Sequence, residues 1–212
     1  MQSRSRPPLL RGCTGVLVAG GRSLRLGGFP KGLLRVGGEP DGEPILARSL
    51  RLFEALFEET FVVANDAAPY QGFGARIVPD LVEGKGAPGG LHAALAAART
   101  DWVFTAACDM PFLAEAPIAA LAAERAGAAA VAVIWRGRLE PLHAFWSRDC
   151  FAAVDRLVRA GDPSMWQLAT AVGARFVPEE RWRAIDPEGR AFANANTPED
   201  LVRLGLAGPD QG

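Results

Sequence analysis

An excess of charge of either sign is missing from this chain. Lysine and arginine number 23 against 24 aspartate and glutamate over 212 residues, so there is no overall basic field for nucleic acid and no membrane-seeking surface. Cysteine is scarce as well. Cys13, Cys108 and Cys150 are odd in number and lack metal-ligand spacing, and with no signal-peptide pattern at the start they point to a reducing cytoplasm. No apolar run approaches the ~20 residues that a membrane span needs. Two common nucleotide-binding patterns are also absent. There is no GxGxxG, which disfavours a nicotinamide dehydrogenase. There is no ATPase P-loop either, because Pro30 rather than glycine precedes Lys31 and neither Ser nor Thr follows it.

What is present is a chain with 49% apolar and 22% charged residues, long enough for one well-buried α/β core and short for two. Its most telling stretch is Gly15 to Lys31, GVLVAGGRSLRLGGFPK. Val16, Leu17 and Val18 read as a buried strand, and Gly20 and Gly21 then let the backbone approach a ligand with no Cβ in the way. Amides exposed in such a loop form a nest for anions. Arg22, Arg25 and Lys31 add positive charge, so the segment is suited to phosphates.

Further along, Met1 to Gly12 reads as a loose polar tail, residues 13–207 as one domain and 208–212 as a short second tail. The Gly38 to Pro44 segment repeats a GEP triplet and reads as a flexible surface loop. Ile45 to Phe57 has helical apolar spacing. Strands are predicted at 61–63, 76–78, 102–107, 129–134, 141–146 and 174–177, and helices at 115–126, 149–159, 164–172 and after Thr197. A second glycine-rich loop, 83–90, leads into a predicted helix 91–99 and offers it free amides at the positive end of the dipole. The short turn at Arg136 to Arg138 predicts an antiparallel partner strand. The alternation implies a doubly wound, mostly parallel sheet, whose ligands bind outside the carboxyl ends of the strands. Gly20, Asn65, Asp80 and Asp109 all fall just after predicted strands. His92 and His143 read as packing or surface hydrogen-bonding residues, and Cys108 as a small core residue.

The string Ala19 to Gly27, AGGRSLRLG, with Lys31 beyond it, resembles the AGGxSxRMG…DK signature of molybdenum cofactor guanylyltransferases, within the wider nucleotidyltransferase superfamily. Asn65, Asp80, the DMPF segment at Asp109 and Asn194-Ala195-Asn196-Thr197-Pro198-Glu199-Asp200-Leu201 resemble further segments of that family. Leu26 replaces a methionine, Pro30 an aspartate, and the second loop reads GAPGG where the family has GPLAG or GPLGG. The resemblance implies the single-domain, three-layer, Rossmann-like fold of the nucleotide-diphospho-sugar transferase type. It assigns nucleotide binding to Val18, Ala19, Gly20, Gly21, Lys31, Asn65, Asp80 and Asp109. It gives catalytic roles to Lys31, Arg25 and Asp109, makes Asp109 the anchor of Mg2+, and leaves Asn194 and Asn196 as secondary candidates.

The implied reaction joins GMP from GTP to molybdopterin or its molybdenum-loaded form and releases pyrophosphate. It implies a cytoplasmic monomer with GTP and molybdopterin as partners, molybdoenzymes or their chaperones as recipients, and no nucleic acid or membrane. The residue types suit the chemistry. Magnesium takes one or two carboxylates plus substrate phosphates, and cations at the transferred and leaving phosphates offset repulsion between anions. Pro30 keeps a CTP-dependent molybdopterin cytidylyltransferase or a sugar-phosphate nucleotidyltransferase open. The changes at Pro30 and GAPGG also keep open a non-catalytic accessory protein that binds nucleotide or cofactor.

Overall fold

The computed structural model describes residues 10–19, 28–37 and 42–208. A seven-stranded sheet runs in the order β5-β4-β1-β6-β8-β7-β9. Its strands are β1 (Leu10–Val18), β4 (Phe57–Val63), β5 (Arg76–Val78), β6 (Trp102–Ala107), β7 (Ala130–Trp135), β8 (Arg138–Ser147) and β9 (Arg175–Val177). β1 pairs in parallel with both β4 and β6, β4 with β5, and β7 with β9. Only β8 is antiparallel, to β6 and to β7. A hairpin that turns at Arg136 and Gly137 cannot return the chain for a parallel pairing.

Both faces of the sheet are covered. Helix α1 (Ile45–Leu56), helix α3 (Glu115–Ala123) and the short α6 (Glu179–Trp182) bury Phe53, Leu121 and Trp182 against Leu17, Phe104 and Phe145. Helix α2 (Gly86–Ala97), α4 (Phe151–Ala160) and α5 (Met165–Ala171) bury Leu91, Val154 and Leu168 against Val16, Val103 and Trp146. Strands covered on both sides are apolar almost throughout, as β1, β6 and β7 are. Glycine has a packing role at the centre: Gly15 lies directly beneath the rings of Phe53 and Phe57, where a Cβ would collide.

The structure departs from the sequence reading in several places, with β4 and β8 beginning four and three residues early among them. β1 begins at Leu10, inside the expected tail, because Leu10 pairs with Phe57 across a register shift and Gly12 takes the left-handed backbone (φ 66°) there. Helix α2 starts at Gly86, so five residues of the expected loop form its opening turns. The cause is close packing: an ideal Cβ at Gly90 would lie 2.5 Å from Val18 Cγ1, so only glycine lets α2 lie this close to β1. Helix α3 ends at Ala123, three residues early. Last, Glu43 and Pro44 are not loop. They form β3 (Glu43–Pro44), which with β2 (Arg35–Val36) and β10 (Leu206–Ala207) makes a small antiparallel sheet, and Glu43 is ion-paired to Arg51. In that GEP segment Gly42 O accepts from Arg35 Nη1 at 2.7 Å, and 38–41 lie outside the described residues.

Candidate active site

Register lines up the strand ends. Val18 pairs with Val63 on one side and Ala107 on the other, and Val63 pairs with Val78. The row is closed by backbone hydrogen bonds from Ala19 N to Val63 O (2.8 Å), Cys108 N to Val18 O (3.1 Å) and Ala64 N to Val78 O (3.0 Å). Asn65, Asp80 and Asp109 each stand two residues beyond this row, so one sheet edge carries them all. Val18 and Ala19 give a carbonyl and an amide to the ladder and thereby fix where the first glycine loop leaves the sheet. Gly20, Gly21, Arg22 and Arg25 lie outside the described residues.

Lys31 reaches this edge from a single 3-10 turn, Lys31–Leu33. Pro30 enters it in extended conformation, and its carbonyl accepts from Leu33 N at 2.9 Å. The turn sits close on the sheet: a Cβ at Gly32 would lie 3.4 Å from both Cys108 Cβ and Leu46 Cβ. Lys31 Nζ therefore donates to Asp109 Oδ2 at 2.9 Å and to Asn196 Oδ1 at 2.5 Å. An ammonium has three donors, and among the described residues two of them are used. Cys108, beside Asp109, is buried, and its thiol is pushed up to about 12 by desolvation; it is a packing residue and not a nucleophile.

Asn196 is held from several directions. Its Nδ2 donates to Asn194 Oδ1 at 2.8 Å, and its backbone N donates to Asp200 Oδ2 at 2.9 Å. Asp200 also completes the capping box of α7 (Pro198–Leu204), in which Thr197 Oγ1 accepts from Asp200 N. Ala195, buried between the two asparagines, donates its N–H to Asp109 O at 3.3 Å. The helix cap and the two asparagines thus form one device that presses the segment onto Asp109.

The other two candidates form a second cluster. Asn65 Nδ2 donates to Asp80 Oδ2 at 2.9 Å, and Asp80 N donates to Asn65 Oδ1 at 2.8 Å, a reciprocal pair that fixes both side chains. Gly89, in the first turns of α2, faces the same carboxylate: a Cβ there would lie 3.4 Å from Asp80 Oδ2. Exposed carboxylate and amide groups beside a glycine surface suit the edge of a base or a sugar. Lys85 is engaged elsewhere, by Asp162 at 2.6 Å and Gly161 O.

Among the described residues there is no group of three or more His, Cys, Asp or Glu able to hold a metal by protein ligands alone. Asp109 still fits a magnesium shared with substrate. It is a sheltered carboxylate whose second oxygen has no hydrogen bond among the described residues, with the amide oxygens of Asn194 and Asn196 on the same segment. His92 and His143 are both fully buried. His92 joins α2 to α4 through Asp155 at 2.8 Å. His143 lies among Phe104, Trp182 and Phe192, each ring edge-on to it.

Sequence reading passed over Glu140 and Arg190. Glu140 is a part-buried acid between Leu139 and the apolar run that follows Pro141, a signal available in the sequence. The Arg190 guanidinium rests over the ring of Phe112, three residues after Asp109, at 4.6 Å, which only the tertiary structure reveals.

A phosphate-suited loop, a lysine paired with an aspartate at the carboxyl edge and a mostly parallel sheet with one antiparallel strand define a nucleotidyltransferase-type α/β protein. The model of the MobA-like NTP transferase domain matches residues 15–176, and the chain belongs to that family. It is 36% identical over 191 residues to a probable molybdenum cofactor guanylyltransferase of Pelotomaculum thermopropionicum, covering 90% of each chain. It is 33% identical over 199 residues to the molybdenum cofactor guanylyltransferase of Syntrophotalea carbinolica, covering 93% of this chain and 92% of the relative. Among solved structures it resembles molybdopterin-guanine dinucleotide biosynthesis protein A of Archaeoglobus fulgidus, with a TM-score of 0.75 and 26% identity over 91% of this chain and 96% of the other.

Proposed function

We propose that this protein transfers GMP from GTP to molybdopterin, forming the guanine dinucleotide and releasing pyrophosphate, as the names of its relatives suggest. The observation that carries the reading is the contact of Lys31 with Asp109 and Asn196 at the carboxyl edge of the sheet.

An oxygen of the acceptor's phosphate attacks the α-phosphorus of GTP. A P–O bond forms there as the bond to the β,γ-pyrophosphate breaks, and the electron pair leaves with pyrophosphate. The attacking phosphate is already ionised, so no general base is required. The obstacle is repulsion between anions, and preorganised positive charge is the remedy. Lys31, turning its free donor or exchanging Asp109 for substrate, stabilises the transferred phosphoryl group, and Arg25 neutralises the leaving group. Asp109, with Asn194 and Asn196 beside it, would hold Mg2+, which when bound supplies further positive charge to the α-phosphate and to pyrophosphate. Asn65, Asp80 and the loop from Val18 to Gly21 bind the nucleoside.

Purified protein with magnesium and molybdopterin, supplied with GTP, CTP or ATP, tests the reading by pyrophosphate release. Acceptor-dependent release with GTP alone is expected. Release with CTP would assign the protein to cytidylyl transfer, the alternative that Pro30 favours. Tight nucleotide binding with no release from any of the three would mark a non-catalytic accessory protein.

A further inference from the structure

The sheet order divides the edge at Asp109. Asn65 and Asp80 follow β4 and β5 on one side of it, whereas β8, β7 and β9 lie on the other. If the nucleoside takes the first side, the acceptor takes the second. β8 is antiparallel, so its start, not its end, lies at the edge where β6 stops. The Val131–Phe145 pair continues the row of Phe104, and the pairing of Val133 with Glu140 two steps further on places Glu140 level with Ala106, at the end of β6 that leads to Asp109.

Glu140 is aimed by an irregularity. Between the pairs Val131–Phe145 and Val133–Glu140, two steps along β7 match five along β8. Bulges of this kind re-aim side chains beside functional sites. Directly opposed residues share a face of the sheet, and Val133 belongs to the core cluster with Trp135, Ala191 and Phe192. Glu140 therefore lies on the face covered by residues 190–192, whose continuation delivers Asn194 and Asn196.

A structural role does not account for it. Inward charges protect edge strands from pairing, but β8 is flanked by β6 and β7. Glu140 has no hydrogen-bond partner among the described residues, and only the charge of Arg138 opposes the burial that raises its pKa to about 7. A half-buried carboxyl with no partner among the described residues, its oxygens not sealed from solvent, stands open to a donor on a ligand.

We propose that Glu140 is the acceptor-specificity residue, its carboxylate accepting the adjacent ring N–H and exocyclic amino N–H of the aminopyrimidinone edge of a pterin. Two carboxylate oxygens match two parallel donors. The inference rests on the guanylyl-transfer reading, which supplies the pterin. Guanine presents the same edge, so the claim is specifically that Glu140 serves the acceptor and not GTP.

The experiment compares wild type with Glu140→Gln and Glu140→Asp in magnesium-dependent pyrophosphate release, titrating molybdopterin and GTP separately. Thermal melts verify folding, and direct molybdopterin binding is followed by pterin fluorescence. Replacing one acceptor oxygen by a donor should raise the acceptor KM and weaken fluorescence-detected binding roughly 10- to 100-fold, while the GTP KM stays within about twofold. Glu140→Asp should fall between. An unchanged acceptor KM in an active, folded Glu140→Gln protein overturns the inference alone, and so does a rise in the GTP KM instead. Wild type that releases no pyrophosphate from GTP overturns the guanylyl-transfer reading, and the inference with it.

Discussion

Lys31 Nζ lies 2.9 Å from Asp109 Oδ2 although 78 residues separate them in the chain. The pair is sheltered, with 20% and 12% of the two side chains exposed, so each charge holds the other in place. Lys31→Ala should lower kcat by about 10²- to 10³-fold, the usual effect of losing one preorganised donor to a developing charge. Lys31→Arg should recover only part of it, because a planar fork does not reproduce a compact ammonium. Asp109→Asn should be as damaging, and the double variant should cost less than the sum of the two losses, because the residues act as a unit. Additive losses in steady-state pyrophosphate release would show that they act separately.

Gly90 and Val18 set how close α2 lies to the central strand. Gly90→Ala should destabilise the fold by about 1–3 kcal/mol through overpacking. Combining it with Val18→Ala, which removes the Cγ1 that the new Cβ would strike, should cost less than the two single changes together. Urea denaturation of the four proteins measures this coupling.

Burial holds the Glu140 carboxyl up, at about 7, against an ordinary value of 4.5. Between these values the folded chain binds more protons than the unfolded one, so this group's contribution to stability is present at low pH and lost as pH rises through about 7. Glu140→Gln should therefore melt at a higher temperature than wild type at about pH 8, and the gap should close towards about pH 4.5. A variant no more stable than wild type at the higher pH would show that the carboxylate is well solvated in the folded protein.

His143 has the opposite sign. It is fully buried, neither ring nitrogen has a side-chain hydrogen-bond partner among the described residues, and desolvation lowers its pKa from 6.5 to about 4 although Asp186 pulls the other way. Between those values the unfolded chain binds a proton that the folded chain does not, so stability falls as pH drops, by at most about 1.4 kcal/mol per unit. His143→Leu, which cannot be protonated, should flatten the acid side of the Tm-against-pH curve. An acid side as steep as that of wild type would assign the loss to other groups.

Much of this protein is legible in its chain. The strands that the sequence predicts at Trp102–Ala107 and Arg76–Val78, the helix from Ile45 and the cap at Thr197 occur as elements β6, β5, α1 and α7. They depend on local signals: runs, helical spacing, a capping residue. The positions of Asn65, Asp80 and Asp109 past their strands were legible for the same reason. Gly86 to Gly90 read as loop in the sequence because glycine alone signals a turn, whereas the helix there packs on Val18, distant in sequence. The Glu43–Pro44 strand likewise depends on Arg35 and Val36, which in turn pair with Leu206 and Ala207.

The sequence by itself determined the class of chemistry, because a phosphate-suited loop, its cations and acids after strands are local features that carry their meaning with them. Only the tertiary structure decided which of these groups meet. Lys31 reaches Asp109 from a turn that packs on Cys108, and Asn196 joins them because Asp200 and Ala195 hold its segment down. The aim of Glu140 is set by a register change between two antiparallel strands. Such pairings are fixed by hydrogen bonding and packing between distant segments, so no local pattern in the chain records them.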